Sequence, residues 1–295
     1  MPNRRPISEG LALLAEILDR ERMRGLETLS LLPESESCLQ ELPVMLMKRA
    51  KTSPDVVTPR DSLTEEGSQA DLEESSALSE KERRVRLNEI FKLARASGEC
   101  RSLGTLRETI VFAAGNPMAD LMFVGEAPGA EEEKLKQPFV GPAGKKLDQI
   151  ISAMGMTRDD VYISNIVKFR PKKGDGRFQG SRNRKPDATE MAASRQFIMS
   201  EIEVVDPKVI VALGATAAEG LLEVGGAIAS MRQTEQFLGK VPVVVTYHPS
   251  FLLRQESEAD SGRAKEMKRK VWEDILWAME FAGLPITEKQ RGYFL

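Results

Sequence analysis

The chain has 295 residues, 41% hydrophobic, 5% aromatic and 29% charged, with a net charge of −3. Two cysteines, Cys38 and Cys100, exclude a disulfide scaffold and an all-cysteine metal site, and the single histidine, His248, excludes any mechanism that needs two. No run of about 18 apolar residues is present and MPNRRPISEG has no apolar signal core, so the expected chain spans no membrane and resides in the cytoplasm.

Charge divides the chain in two. Residues 1–80 carry 9 Lys/Arg against 16 Asp/Glu, whereas residues 81–295 carry 33 against 29. Residues 1–51 read as a helical extension, with Leu11, Leu13, Leu14, Ile17 and Leu18 at helical spacing behind a Ser8 cap. A docking segment for a protein partner is the sharper reading of the same residues. Residues 52–79 are Ser, Thr, Pro, Asp and Glu with few large apolar side chains, the composition of a disordered acidic linker.

From Glu80 the pattern alternates. KERRVRLNEIFKLARAS has a helical period, and LMFVG (121–125) is an apolar run stopped by glycine. AGKKLDQIISAMG puts Leu147, Ile150, Ile151 and Met154 on one helical face. VYISNIV (161–167), KVIVALG (208–214) and VPVVVTY (241–247) are continuous β-branched runs, as in strands covered on both faces. ATAAEGLLEV and residues 264–282 supply more helices. The expected fold is therefore α/β, a three-layer α/β/α sandwich on a central parallel sheet of about four strands. It spans 80–285, with 286–295 as a tail. Working residues of such sheets lie past the carboxyl ends of strands. Those ends carry Gly125-Glu126-Ala127-Pro128-Gly129, Asn165 and His248-Pro249-Ser250.

Taken together, GNPMADLMFVGEAPGAEEEKLKQPFVGPAGKKLD, VYISNIVKFRP, NRKPDATE, KVIVALGATAA and TYHPSFLLR resemble the uracil-DNA glycosylase superfamily, most closely its family 4. The resemblance covers about residues 81–284 and none of 1–80. It implies a base-flipping enzyme acting on uracil in DNA. By the family pattern Phe139 stacks on uracil and Asn165 hydrogen-bonds its polar edge. His248 stabilises the departing anion, while Glu126 orients water and opposes the cationic sugar. Backbone around Ala127 holds the base or a phosphate. Asn183 is an accessory catalytic residue, and Glu132 matches an acidic position more loosely. Leu252 or Leu253 is the wedge that fills the gap left by the flipped base.

Two departures stand out. Family 4 holds a four-cysteine iron–sulfur cluster, but the first pair here reads Ser97-Gly98-Glu99-Cys100, Phe169 stands third and Ser194 falls near the fourth. One thiolate cannot hold the cluster, so no cofactor is expected, with packing around Phe169 in its place. The second departure is an insertion, KKGDGRFQGS. Residues 168–185 hold eight Lys/Arg (Lys168, Arg170, Lys172, Lys173, Arg177, Arg182, Arg184 and Lys185) against Asp175 alone. With Gly174, Gly176 and Gly180 this reads as a flexible basic loop for the DNA backbone, joined by Arg254, and Phe178 offers one stacking ring. A covalent uracil-trapping branch carries a histidine in its basic insertion, and this loop has none, so no covalent adduct is expected.

The leading expectation is a monomeric, monofunctional glycosylase that leaves an abasic site. A catalytically weak uracil- or abasic-DNA binding protein is the alternative. A generic nucleotide-binding protein is disfavoured, because no Gly-x-Gly-x-x-Gly or phosphate-loop lysine follows the first strand.

Overall fold

A computed structural model of the chain describes residues 78–257 and 261–295. The expected helical extension 1–51 and nearly all of the linker 52–79 lie outside the described residues. The first described element is α1 (Glu80–Ala96). Ser79 opens it with a capping box: its hydroxyl accepts from Glu82 N–H at 3.4 Å and the Glu82 carboxylate accepts from Ser79 N–H at 3.0 Å. Leu87, Ile90 and Ala94 form its buried stripe.

After α2 (Gly98–Ser102) come β1 (Leu106–Ile110), β2 (Ala114–Gly115) and β3 (Leu121–Gly125). Helices α3 (Ala130–Leu135) and α4 (Pro142–Ala153) lead to β4 (Tyr162–Asn165) and β5 (Phe169–Pro171). Next are α5 (Ala188–Val205), β6 (Val209–Leu213), α6 (Ala215–Leu222) and α7 (Ile228–Met231). The chain continues through β7 (Phe237–Leu238), β8 (Val241–Thr246), α8 (Pro249–Ser257), α9 (Ser261–Phe281) and α10 (Glu288–Arg291).

The main sheet has the order β2-β4-β3-β6-β8-β7. Its four central strands are parallel, as expected, and the two-residue strands β2 and β7 add antiparallel edges. Burial explains the unbroken apolar runs. Met122, Val124, Ile210, Ala212, Val243 and Val245 face a core shared with α1, α5 and α6. Leu121, Phe123, Val209, Val211, Leu213 and Val244 face a second core shared with α4, α8 and α9. Each strand is thus covered on both sides. The chain leaves β3 toward β4 on one side and later fills β6 and β8 on the other. The connections diverge at β3, where an open α/β sheet forms a crevice at its carboxyl edge.

The C-terminal residues pack back on the domain: Trp272 Nε1 donates to the Gln290 carbonyl at 2.6 Å, and the Trp272 and Tyr293 rings lie 5.3 Å apart. One expectation needs correction: the apolar run 161–167 ends its strand early, at Asn165. There Lys168 turns inward with no solvent exposure and pairs with the equally buried Glu201 of α5 at 2.5 Å. Its Nζ also donates to Ser164 Oγ at 2.7 Å and to the Asn165 carbonyl at 2.8 Å. Burial pushes the lysine down and the glutamate up, each opposed by the charge of the other.

Glu201→Met strands the lysine charge and is expected to lower the free energy of unfolding by about 3–5 kcal/mol. Urea denaturation measures the loss, and Lys168→Met in the same chain is expected to return most of it.

Candidate active site

Glu126 follows β3, Asn165 ends β4, Gly214 follows β6 and His248 follows β8. Parallel register therefore brings four strand ends to one edge. There a cavity of about 180 Å³ is lined by Glu126, Ala127, Phe139, Asn165, Asn183, His248 and their neighbours. All six residues expected in catalytic or substrate-binding roles thus line one cavity.

Gly125 sets the floor. A Cβ there would lie 2.4 Å from Asn165 Oδ1 and 2.4 Å from Phe139 Cζ, so a bare α-carbon is what lets amide and ring converge. Phe139 holds a left-handed backbone, φ 54°, which a bulky residue rarely adopts. The surroundings enforce it. Arg158 donates to the Phe139 carbonyl at 2.8 Å, and Glu132 accepts from the next two amides, Val140 at 3.0 Å and Gly141 at 2.8 Å. The other Glu132 oxygen accepts from Gly129 N–H at 3.1 Å. Glu132 therefore ties the Gly-Glu-Ala-Pro-Gly turn to the Phe139 loop.

His248 stands 5.8 Å from Phe139, ring centre to ring centre, at 33°. Its Nδ1 accepts from Ser250 N–H at 3.1 Å and contacts Ser250 Oγ at 2.8 Å. A backbone N–H can only donate, so Nδ1 is bare and the neutral ring carries its proton on Nε2. Burial, helped by the Arg254 charge and opposed by Glu132, lowers its pKa to about 4. Burial also raises Glu126, against a hydrogen bond from Thr216 and the Lys185 charge. The Asn165 side-chain amide has no protein partner among the described residues, which leaves both its donor and its acceptor for a ligand. Asn183 Oδ1 accepts from Arg170 Nε at 3.0 Å, turning Nδ2 toward Gly129.

The two wedge candidates separate. Leu252 is 3% exposed and lines a different, apolar cavity with Ile150, Val271 and Trp272, so it is already core and is withdrawn as a wedge. Leu253 is partly exposed and Arg254 exposed.

The insertion is less free than its glycines suggest. Arg184 pairs with Glu190 at 2.6 Å, Arg177 with Asp175 at 2.7 Å and Lys185 with Glu219 at 3.3 Å. Lys172 donates to the Gly104 carbonyl at 2.9 Å and Arg182 to the Phe178 carbonyl at 2.7 Å. Among the described residues, Lys173 alone of the insertion's cations has no partner. Sequence reasoning placed Lys168 and Arg170 in the basic loop and Ser250 at a strand end without their partners, and it missed Glu133, Thr216 and Glu201. The lysine that directly follows the apolar run 161–167 was the one available signal.

The donors at the expected cluster positions do not fit one. Cys100 is 1% exposed and its thiol donates to the Ala193 carbonyl at 3.6 Å. Phe169 packs in the core beside it, and the Ser194 hydroxyl accepts from Lys168 N–H at 3.2 Å. Among the described residues no group of three His, Cys, Asp or Glu is placed to hold a metal, and no helix is long and apolar enough to cross a membrane.

Fold and cavity together define an α/β domain with a polar cavity at the carboxyl edge of its sheet. A family model described as the uracil DNA glycosylase superfamily matches residues 112–276, more than half of the chain. The chain belongs to that superfamily. It is 40% identical over 179 residues to a type-4 uracil-DNA glycosylase of Thermotoga maritima, covering 59% of this chain and 84% of that protein. A type-4 uracil-DNA glycosylase of Archaeoglobus fulgidus is 31% identical over 194 residues, 61% and 92% of the two chains. A type-5 uracil-DNA glycosylase of Pyrobaculum aerophilum is 29% identical over 153 residues, 46% and 63%.

With one histidine in the chain, ring nitrogen NMR reads His248 without overlap. The expected spectrum is a neutral Nε2–H ring at pH 7 with a titration midpoint near 4. A midpoint near 6.5 would mean the ring is not desolvated.

Proposed function

We propose that this protein is a monofunctional uracil-DNA glycosylase that flips uracil from DNA, hydrolyses its N-glycosidic bond and leaves an abasic site. The observation that carries the reading is the fixed His248 tautomer, which leaves an Nε2–H donor for the cavity that Phe139, Asn165 and Glu126 share. Phe139 stacks on the flipped base. The Asn165 amide donates to the uracil O4 and accepts from its N3–H, a pairing cytosine cannot reproduce. As the bond to C1′ breaks, negative charge gathers on the base and Nε2–H of His248 donates to O2. A neutral imidazole suits this task, because it stabilises the anion without first surrendering a charge.

Glu126 serves the other side of the bond. Its carboxylate faces the sugar, stabilises the oxocarbenium character and orients the water whose oxygen joins C1′. The uracil anion takes up a proton as it leaves, so the atoms balance with water alone and no redox partner enters. Asn183, held by Arg170, assists at the Gly129 turn. Leu253 is the wedge, and Lys173, Arg182 and Arg254 carry the phosphate contacts, with Lys172, Arg177 and Arg184 shaping the loop behind them. The fold closes around Phe169 and Cys100 by packing. Protein purified without oxygen is expected to carry no stoichiometric iron and no visible absorbance of a cluster. The enzyme acts as a cytoplasmic monomer, and residues 1–51 dock a protein partner.

Abasic-site formation on an oligonucleotide with one uracil tests the reading. His248→Ala and Glu126→Gln are each expected to lower kcat by about 10²–10³-fold. Salt-dependent binding by the wild type without excision would instead mark a binding protein. The carboxylate form of Glu126 is the working one and burial raises its pKa above 4.5. Activity therefore falls as pH drops through that raised value, and Glu126→Gln abolishes this acid limb.

A further inference from the structure

One feature of the insertion has no part in the chemistry above. The Phe178 ring is 87% exposed, more than any other large apolar side chain among the described residues. Yet the backbone that carries it is fastened on both sides. Gln179 beside it is 2% exposed, and its amide donates to the Pro171 and Arg182 carbonyls at 2.9 Å each. The buried Arg170 donates to the Gly180 carbonyl at 2.7 Å and the Arg182 carbonyl at 3.0 Å. Arg107 donates to the Gly176 carbonyl at 2.9 Å. Gly176 and Gly180, at φ 80° and 53°, make the turns that send the ring outward. A loop built this firmly presents the phenyl group to solvent instead of folding it away.

Its neighbours suggest what it meets. Arg182 holds the Phe178 carbonyl, and the next residue, Asn183, lines the active-site cavity. The same Arg170 that clamps the loop also holds Asn183. The loop that carries the ring is therefore tied through Arg170 to a residue that lines that cavity. Lys173, Arg177 and Arg182 are exposed in the same loop, and Asp175 is the only acid between residues 172 and 185. A lone aromatic face among cations matches a nucleic-acid strand, with phosphates toward the charges and a base against the ring.

We propose that Phe178 is a stacking anchor for an unpaired nucleobase beside the nucleotide held in the cavity, and that residues 172–184 form a preformed platform for that strand. The assignment rests on the reading of the cavity as a uracil site. In a duplex the neighbouring base stays paired and Leu253 fills the gap left by the flipped one, whereas an unpaired strand leaves the neighbour's face open to the ring, so the gain is larger on single-stranded than on duplex DNA.

The full-length chain, Phe178→Ala and Phe178→Trp are compared on single-stranded and duplex oligonucleotides bearing one uracil. Phe178→Ala is expected to raise KM on the single strand about 10-fold, with the loss falling on KM rather than kcat, and Phe178→Trp is expected to restore it. The slope of log KM against log salt is expected to stay unchanged in Phe178→Ala and to fall by about one in Lys173→Ala. Anisotropy with a uracil-free single strand separates the two readings. Weakened binding by Phe178→Ala there supports the platform even if the wild type fails to excise uracil, a failure that would sink only the catalytic reading. Wild-type KM and affinity in Phe178→Ala would overturn the proposal and leave the ring to a protein contact.

Discussion

The geometry of the site depends on a charge pair placed where water cannot reach it. Lys168 leaves the end of β4, turns inward and meets Glu201 of α5, while its remaining protons bond Ser164 and the Asn165 carbonyl. The ammonium thus spends its donors on the turn that carries the Asn165 amide into the cavity. Two residues later Arg170 repeats the pattern, bonding Glu133, Asn183 and two loop carbonyls. In a dry interior neither cation can shift without abandoning partners it has no water to replace. The strand exit is rigid for that reason, and the side chains it aims are rigid with it.

Acids play the complementary part. Glu132 accepts three backbone amides from two loops, and Glu190 accepts from Arg184 and from Asp187 N–H. These carboxylates stand in for secondary structure where the chain has none, as loops must satisfy their amides somewhere. Glu126 differs, since no backbone amide claims it. Its carboxylate meets the Thr216 hydroxyl instead and lines the cavity.

Much of this was legible in the sequence. Three β-branched runs and the apolar run LMFVG pointed to the parallel sheet, and the strand-end rule placed Glu126, Asn165 and His248 at one edge. The motifs added Phe139 and Asn183. What stayed hidden came from long-range contacts that no local pattern encodes. Choosing between Leu252 and Leu253 requires knowing which face of α8 meets α9. The basic loop looked flexible because its glycines are local, whereas the carbonyls that Arg107 and Arg170 grip are distant in sequence. The edge strands β2 and β7 were unreadable because two residues carry no period.

The strand order also governs when the site can exist. β3 pairs along its length with β6, Leu121 against Val209, and β6 with β8. Glu126 and Asn165 are therefore made while β3 still lacks its other neighbour, β6. His248 arrives only after β8, the last strand in chain order among the described residues. Non-local pairing of this kind is slow, because the loops must close before the contacts reward them. Synthesis and assembly of the cavity are thereby ordered in time: a nascent or truncated chain that lacks its last third has Glu126 and Asn165 but neither β6, β8 nor His248 to close the cavity around them.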